Sequence, residues 1–322
     1  MIFEKLKKNL PGVRKNVVLS KYTTFNIGGL AEYFLLAHNV VTIKRAITAA
    51  KKLQIPIFIF GGGSNLLVAD NGLKGLVVKM QDPIDGISLK KTKTGGVVTA
   101  ASGTDMKKMI DFAVGHSLQG LEWAGGLPGT FGGAIRGNAG AFGGEMKDTV
   151  SQVRALGHTL RLKTFSNRTS HFSYRSSIFK EKGWTILSAS VKLKHGEKAK
   201  LQEIADSRRQ YRKEKHPLEY PSAGSVFKNV AVERVPEKFK YLFLDKIKQD
   251  PFPIVPAAWF IIGAGLAGKK IGKAQISKKH SNYIVNLGGA KAKDILKLIK
   301  LVQGKVKKVY DIELEVEIQY IN

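Results

Sequence analysis

The chain has 322 residues, of which 43% are hydrophobic and none is cysteine, and its 53 Lys and Arg outnumber 25 Asp and Glu for a net charge of +28. That length suits one large or two to three ordinary domains with real cores, and the absent cysteines exclude disulfides, thiolate nucleophiles, Cys-bound zinc and iron–sulfur clusters. The basic excess is spread, with 19 basic and 10 acidic groups over residues 1–150, 18 and 7 over 151–235, and 16 and 8 over 236–322; with no zinc knuckle, RNP-like aromatic motif or basic heptad region, it argues against a dedicated nucleic-acid role.

Residues 1–10 carry lysines but no following apolar run, so they do not read as a signal peptide. Asn39 is placed to cap a helix whose apolar positions are Val40, Ile43, Ala46, Ile47, Ala50 and Leu53, with Pro56 close behind. Strands are predicted over 55–60, 75–80 and 97–101, and Thr104 is the predicted cap of a helix bearing Met106, Met109, Ile110 and Ala113. Between 125 and 144, nine of twenty residues are glycine, a composition that predicts neither helix nor strand. A polar helix is predicted over 201–214, and Pro217 and Pro221 mark a junction. The most apolar stretch, 257–268, falls short of the roughly 20 residues that span a bilayer. A helical stripe follows at Ile295, Leu298, Ile299, Val302, Val306 and Val309. The last segment, 312–321, alternates like a strand, with Ile312, Leu314, Val316, Ile318 and Tyr320 on one face and Glu313, Glu315, Glu317 and Gln319 on the other. The pattern is α/β or α+β, in a chain expected to be cytoplasmic, with no membrane segment and no metal site.

Two glycine segments carry the chemistry. Gly61, Gly62, Gly63, Ser64 and Asn65 follow a predicted strand and bring backbone N–H groups within reach of a phosphate. The second, from Leu127-Pro128-Gly129-Thr130 through Gly132-Gly133 to Asn138-Ala139-Gly140, allows close backbone approach over many atoms. Together they suit an extended ligand such as FAD. The run Gly263-Ala264-Gly265-Leu266-Ala267-Gly268 has the dinucleotide-binding spacing but no acidic residue before Asp294 to hold a ribose, and reads as a decoy. Arg175 offers a planar fork for a carboxylate, and Ser225, directly after Gly224, a hydroxyl as proton donor. Spacing alone neither chooses among Glu313, Glu315 and Glu317 nor assembles one of them with Arg175 and Ser225.

These segments, in order, resemble the UDP-N-acetylenolpyruvoylglucosamine reductase family over nearly the whole chain: Tyr22-Thr23-Thr24-Phe25 with Gly28-Gly29, Gly61 to Leu66, Gly126 to Glu145, Tyr174 to Lys180, Glu219 to Asn229, Ile271 to Asn286 and Leu314 to Ile318. The resemblance implies an α+β fold: a vanillyl-alcohol-oxidase (PCMH) type FAD-binding region of two subdomains, 1–74 and 75–206, and a C-terminal α+β substrate-binding domain, 207–322. It implies non-covalent FAD held by Tyr22, Thr24, Gly61, Gly62, Gly63, Ser64, Asn65, Leu66, Gly126, Pro128, Gly129, Gly132, Gly133, Asn138 and Gly140. It implies catalysis by Arg175, Ser225 and Glu317, and substrate or NADPH contacts from Tyr174, Lys215, Asn229 and Gln275. NADPH is the implied hydride donor, UDP-N-acetylglucosamine enolpyruvate the substrate, and the protein a monomer; another FAD-dependent oxidoreductase of the same fold is the alternative. The short interval from Tyr174 to Ser225 looks like the form of the family without an additional tyrosine-bearing loop. Ser176, Val230, Ile262 and Lys278 depart from the family pattern, and 230–256 looks longer than usual.

Overall fold

The computed structural model describes residues 2–81, 86–157 and 160–322. The chain forms two compact units, the first from Met1–Val17, Ala31–Gly62 and Lys74–Gln210, the second from Val18–Leu30, Gly63–Leu73 and Tyr211–Asn322.

In the first unit, the helix Val40–Lys52 begins where the sequence places it, with Asn39 Oδ1 accepting from the Thr42 N–H at 2.8 Å. Its buried face, Ile43, Ala46, Ala49 and Ala50, shares a core with Leu35, Leu76 and Val78. The adjoining four-stranded sheet runs in the order Arg14–Val18, Leu30–Ala37, Leu73–Met80, Ile57–Phe60, the last two strands being parallel. A larger sheet is antiparallel, in the order Leu162–Ser166, Val150–Leu156, Thr185–His195, Gly95–Ala101, Ile87–Thr92. The helix Met106–Gly115 buries Met106, Met109, Ile110 and Ala113 in the same core as Val98, Val153 and Val191.

Two expectations fail in this unit. The cap of that helix is Asp105, whose carboxylate accepts from the Lys107 N–H at 2.7 Å, while the preceding residue, Thr104, uses its carbonyl to receive the Phe131 N–H. The cap must sit one residue before the first helical position, and Thr104 is one too early. The glycine-rich run also contains a helix, Phe131–Arg136. Thr130 Oγ1 accepts from the Gly133 N–H, and Phe131, Ala134 and Ile135 are buried. Packing therefore overrides the poor intrinsic propensity of its glycines. The polar helix is longer than expected, Lys198–Lys215.

In the second unit, the helix Ala292–Tyr310 carries the expected stripe into a core with Val226, Phe227, Phe260 and Ile284. The 312–321 alternation is only partly realised: Ile312, Leu314 and Ile318 are buried, but Val316 is 37% and Tyr320 41% exposed. Regular pairing is confined to Gln319–Ile321, parallel to Leu66–Val68. Further back a single bridge joins Val316 to Phe227, so the segment changes partners midway instead of extending one ladder. The run 263–268 closes the helix Ala257–Gly263 and turns at Gly265 and Gly268, both with left-handed φ; no strand-to-helix phosphate loop forms there. Within the long stretch after Val230, Val230–Ala231 pairs with Ile254–Val255. The intervening turns bury Phe243 against Phe260 and Tyr310 and leave Tyr241 and Leu244 facing out. Among the described residues no helix is long and apolar enough to cross a membrane.

Candidate active site

The glycine loops of the first unit meet backbone to backbone. A Cβ on Gly61 would overlap Thr130 Oγ1, and one on Gly62 would lie 2.6 Å from Gly129 Cα. Gly126 and Gly129 have φ of +73° and +101°, which L side chains seldom adopt. Gly132 lies against Ser102, Gly133 is held by Thr130, and Pro128 is exposed at the turn. Lys79 Nζ donates to the Gly61 carbonyl at 2.8 Å, and burial holds its pKa below the usual lysine value. Asn138 is fully buried with φ +41°; its Nδ2 donates to the Ser173 carbonyl and its Oδ1 accepts from the Lys147 N–H, both at 3.0 Å. That amide stitches the second glycine segment to the turn carrying Tyr174 and Arg175. Arg175 itself has φ +56°, stacks its guanidinium 5.0 Å from the Tyr174 ring centroid, and donates from Nη2 to the Gly140 carbonyl at 2.9 Å. A non-glycine residue in the left-handed region is uncommon and points to a constrained site.

In the second unit, Gly63 has φ +68°, and a Cβ there would sit 2.5 Å from the Tyr22 carbonyl oxygen. Its own carbonyl receives the Thr24 N–H at 3.3 Å. Ser64 is half-buried beside it. Asn65 Nδ2 donates to the Glu317 carbonyl at 3.2 Å, and the Asn65 carbonyl accepts from the Gln319 N–H at 2.9 Å, next to the Leu66–Gln319 pair of the parallel ladder. Glu317 N–H donates to the Val226 carbonyl at 2.7 Å, one residue from Ser225. Asn282 fixes the same backbone by accepting from the Phe227 N–H at 3.0 Å and donating to the Phe227 carbonyl at 2.8 Å. Ser225 and Glu317 are thus brought together with Tyr22, Thr24, Gly63 and Asn65 in one unit, whereas Arg175 belongs to the other.

Residues 216–321 match the family model of the UDP-N-acetylenolpyruvoylglucosamine reductase C-terminal domain, and residues 31–161 that of an FAD binding domain. A UDP-N-acetylenolpyruvoylglucosamine reductase from Lactobacillus acidophilus is 38% identical over 317 residues, covering 98% of this chain and 97% of the relative. The chain belongs to this reductase family. Another reductase, from Caldanaerobacter subterraneus subsp. tengcongensis, is 37% identical over 306 residues, covering 95% of this chain and 92% of its own. The crystal structure of UDP-N-acetylenolpyruvylglucosamine reductase from Thermus caldophilus has a TM-score of 0.74 and 29% identity, covering 96% of this chain and 100% of that one. The family member described here is therefore an FAD-dependent oxidoreductase of α+β fold, as its motifs led us to expect.

Of the remaining expected contacts, two have structural occupations in this reductase. Asn229 Oδ1 accepts from the Ala257 N–H at 3.2 Å, Gln275 Nε2 donates to the Gly268 carbonyl at 2.9 Å, and Lys215 is exposed at the end of its helix. Sequence reading passed over a polar group behind Ser225. Ser225 forms an antiparallel bridge with Tyr283, and the Ser225 hydroxyl pulls the Tyr283 pKa down against the larger effect of burial. The Tyr283 hydroxyl is hydrogen-bonded to His216 Nδ1 at 3.0 Å. Burial, with Arg212, His280, Lys279 and Lys248 nearby, lowers the His216 pKa to about 4. Burial raises Tyr283 to about 12, with the charge of Glu317 adding to the rise. No local motif links positions 216 and 283; only the fold does.

Proposed function

We propose that this reductase converts UDP-N-acetylglucosamine enolpyruvate to UDP-N-acetylmuramate at the expense of NADPH, in peptidoglycan precursor synthesis. The observation that carries the assignment of the chemistry is the placement of Ser225 and Glu317 on either side of the Val226 carbonyl, tied by Asn65 to the first glycine loop. The loops suit the cofactor: at Gly61, Gly62 and Gly63 the backbone approaches its neighbours too closely for any side chain, and we assign their N–H groups to a diphosphate. Tyr22, Thr24, Ser64, Asn65, Leu66 and the segment Gly126–Gly140 complete the proposed flavin-holding set. Bound FAD supplies the hydride exchange between NADPH and the enolpyruvyl group.

The proposed division of labour rests on the protein's own groups. When hydride reaches the methylene carbon, its neighbour becomes carbanionic and the adjoining carboxylate takes on enolate character. Arg175 steadies that charge with its planar fork, Glu317 orients the reacting group, and Ser225 delivers the proton to carbon. Tyr174 and Lys215 are proposed substrate or NADPH contacts. Asn229 and Gln275 are proposed to serve partly by holding the loops on which such contacts stand. The functional division is 1–74 and 75–206 for the cofactor and 207–322 for the substrate, with Val18–Leu30 and Gly63–Leu73 packed inside the second unit. We place the enzyme in the cytoplasm, as a monomer with no nucleic-acid or membrane partner.

Ser225→Ala tests the assignment. A positioned acid contributes about 10²- to 10⁴-fold, so the variant keeps its rate of flavin bleaching by NADPH and loses about that factor in reoxidation by substrate. Equal loss in both half-reactions would overturn the role given to Ser225.

A further inference from the structure

The hydroxyl that protonates carbon must itself be recharged, and a serine alkoxide is too basic to be left unsupported in a partly buried site. Behind Ser225 lies a line of polar side chains: Tyr283, bridged to Ser225 through the backbone and acted on by its hydroxyl, and His216, whose Nδ1 is hydrogen-bonded to the Tyr283 hydroxyl at 3.0 Å. Tyr283 is buried, His216 is half-buried at the end of the Lys198–Lys215 helix, and the ring of His280 packs 5.5 Å from His216 and 4.9 Å from Tyr283. We propose that Tyr283 and His216 are positioning residues that form a proton relay, recharging Ser225 from solvent as it protonates the substrate. This rests on the reading of Ser225 as the proton donor.

The relay balances. The Ser225 O–H bond breaks as the substrate C–H bond forms; the Tyr283 proton passes to Ser225 Oγ, the His216 Nδ1 proton passes to Tyr283 Oη, and Nε2 takes one proton from water. The net change is one solvent proton delivered to carbon and a change of tautomer at a neutral imidazole. The neutral imidazole takes a proton at Nε2 as it gives one up at Nδ1, so the ring carries no net charge before or after the step. Burial above all keeps the ring neutral, and the groups facing it add to this: Arg212 from the preceding helical turn, Lys248 from the 247–253 loop, and Lys279 and His280 from the 277–283 turn all oppose a positive charge there. The ring of Tyr211 closes a further side at 6.2 Å. Tyr283, with Arg212 and Glu317 near it, stays protonated across the physiological range.

The test uses the holoenzyme reduced with NADPH and mixed with UDP-N-acetylglucosamine enolpyruvate, comparing wild type with Tyr283→Phe, His216→Gln and Ser225→Ala. Tyr283→Phe keeps the ring and removes only the hydroxyl. It is expected to leave flavin reduction unchanged and slow reoxidation about tenfold to a hundredfold, the scale of a lost hydrogen bond to a developing charge. His216→Gln is expected to slow the same half-reaction. In mixtures of light and heavy water the wild-type reoxidation rate should bow downwards with deuterium fraction, as several protons move together, and become linear in Tyr283→Phe. Normal reoxidation in both Tyr283→Phe and His216→Gln, or a linear wild-type response, would overturn the relay while a slow Ser225→Ala kept the serine assignment intact. If Tyr283→Phe slows both half-reactions alike, the residue is structural and the relay is wrong. A Ser225→Ala variant that reoxidises normally would instead remove the reading on which the relay rests.

Discussion

Gly132 illustrates how a single missing methyl group permits the local fold. It is helical, and a Cβ there would overlap the Ser102 side chain and come within 3.0 Å of Ser102 Cα. Gly132→Ala is expected to lose about 1–3 kcal/mol, as overpacking does, read as a lower denaturant midpoint. Gly137→Ala, whose added Cβ would meet nothing nearer than 3.7 Å, should be close to neutral in the same measurement. His216 gives a pH signature. Its pKa falls from 6.5 to about 4 on folding, so the unfolded chain binds more protons between those values. Its contribution to stability is present above pH 6.5 and is lost as pH falls towards 4. Thermal melts across that window should show a declining midpoint, with a shallower decline in His216→Gln; the lowered His280 accounts for some remaining slope. Arg175, Ser225 and the glycines can be proposed as site residues from sequence because motif context singles them out. Tyr283 and His216 cannot, since their relation to Ser225 exists only once the residues near 216, 225 and 283 are folded together.

At the scale of elements, periodicity was most informative where one element buries one face. The helix Ala292–Tyr310 has its stripe in the core, and Asn39 caps Val40–Lys52 as its side chain and position predict. Periodicity misled at 312–321, where alternate residues imply one partner but the chain pairs first near Phe227 and then with Leu66–Val68. Composition misled at Phe131–Arg136, where burial decides against propensity. Nor does helix periodicity reveal that Asp70, far away in sequence, secures the start of the last helix: its carboxylate accepts from the Ala292 N–H at 2.7 Å and the Lys293 N–H at 3.1 Å. Those are donors that the helix itself cannot satisfy, and a carboxylate there also suits the helix dipole. Asp70→Ala should cost about 1 kcal/mol, and Leu298→Ala, which empties a buried core position, about 2–5 kcal/mol. Urea unfolding separates the two. A larger loss for Asp70→Ala than for Leu298→Ala would contradict this ordering.

For the whole molecule, the charge of +28 has consequences that no single ion pair carries. Many of the pairs that form are solvent-exposed, such as Lys107 with Asp111 and Lys307 with Asp311, and exposed pairs contribute little to stability. The excess acts instead as a field, drawing in anions and keeping copies apart. NADPH and a UDP-sugar both bring several negative charges, so capture of each should weaken as salt shortens the Debye length from about 10 Å at 0.1 M towards 3 Å at 1 M. The chemistry that follows binding needs no further approach of charges through solvent, so added ions affect it far less. Stopped-flow measurement of flavin reduction should therefore give a second-order constant for NADPH that falls by about tenfold as salt rises over this range, while the limiting rate at saturating NADPH changes little. A salt-independent second-order constant would mean that the basic surface plays no part in collecting the ligands, and a limiting rate falling in parallel would assign the salt effect to the folded site itself.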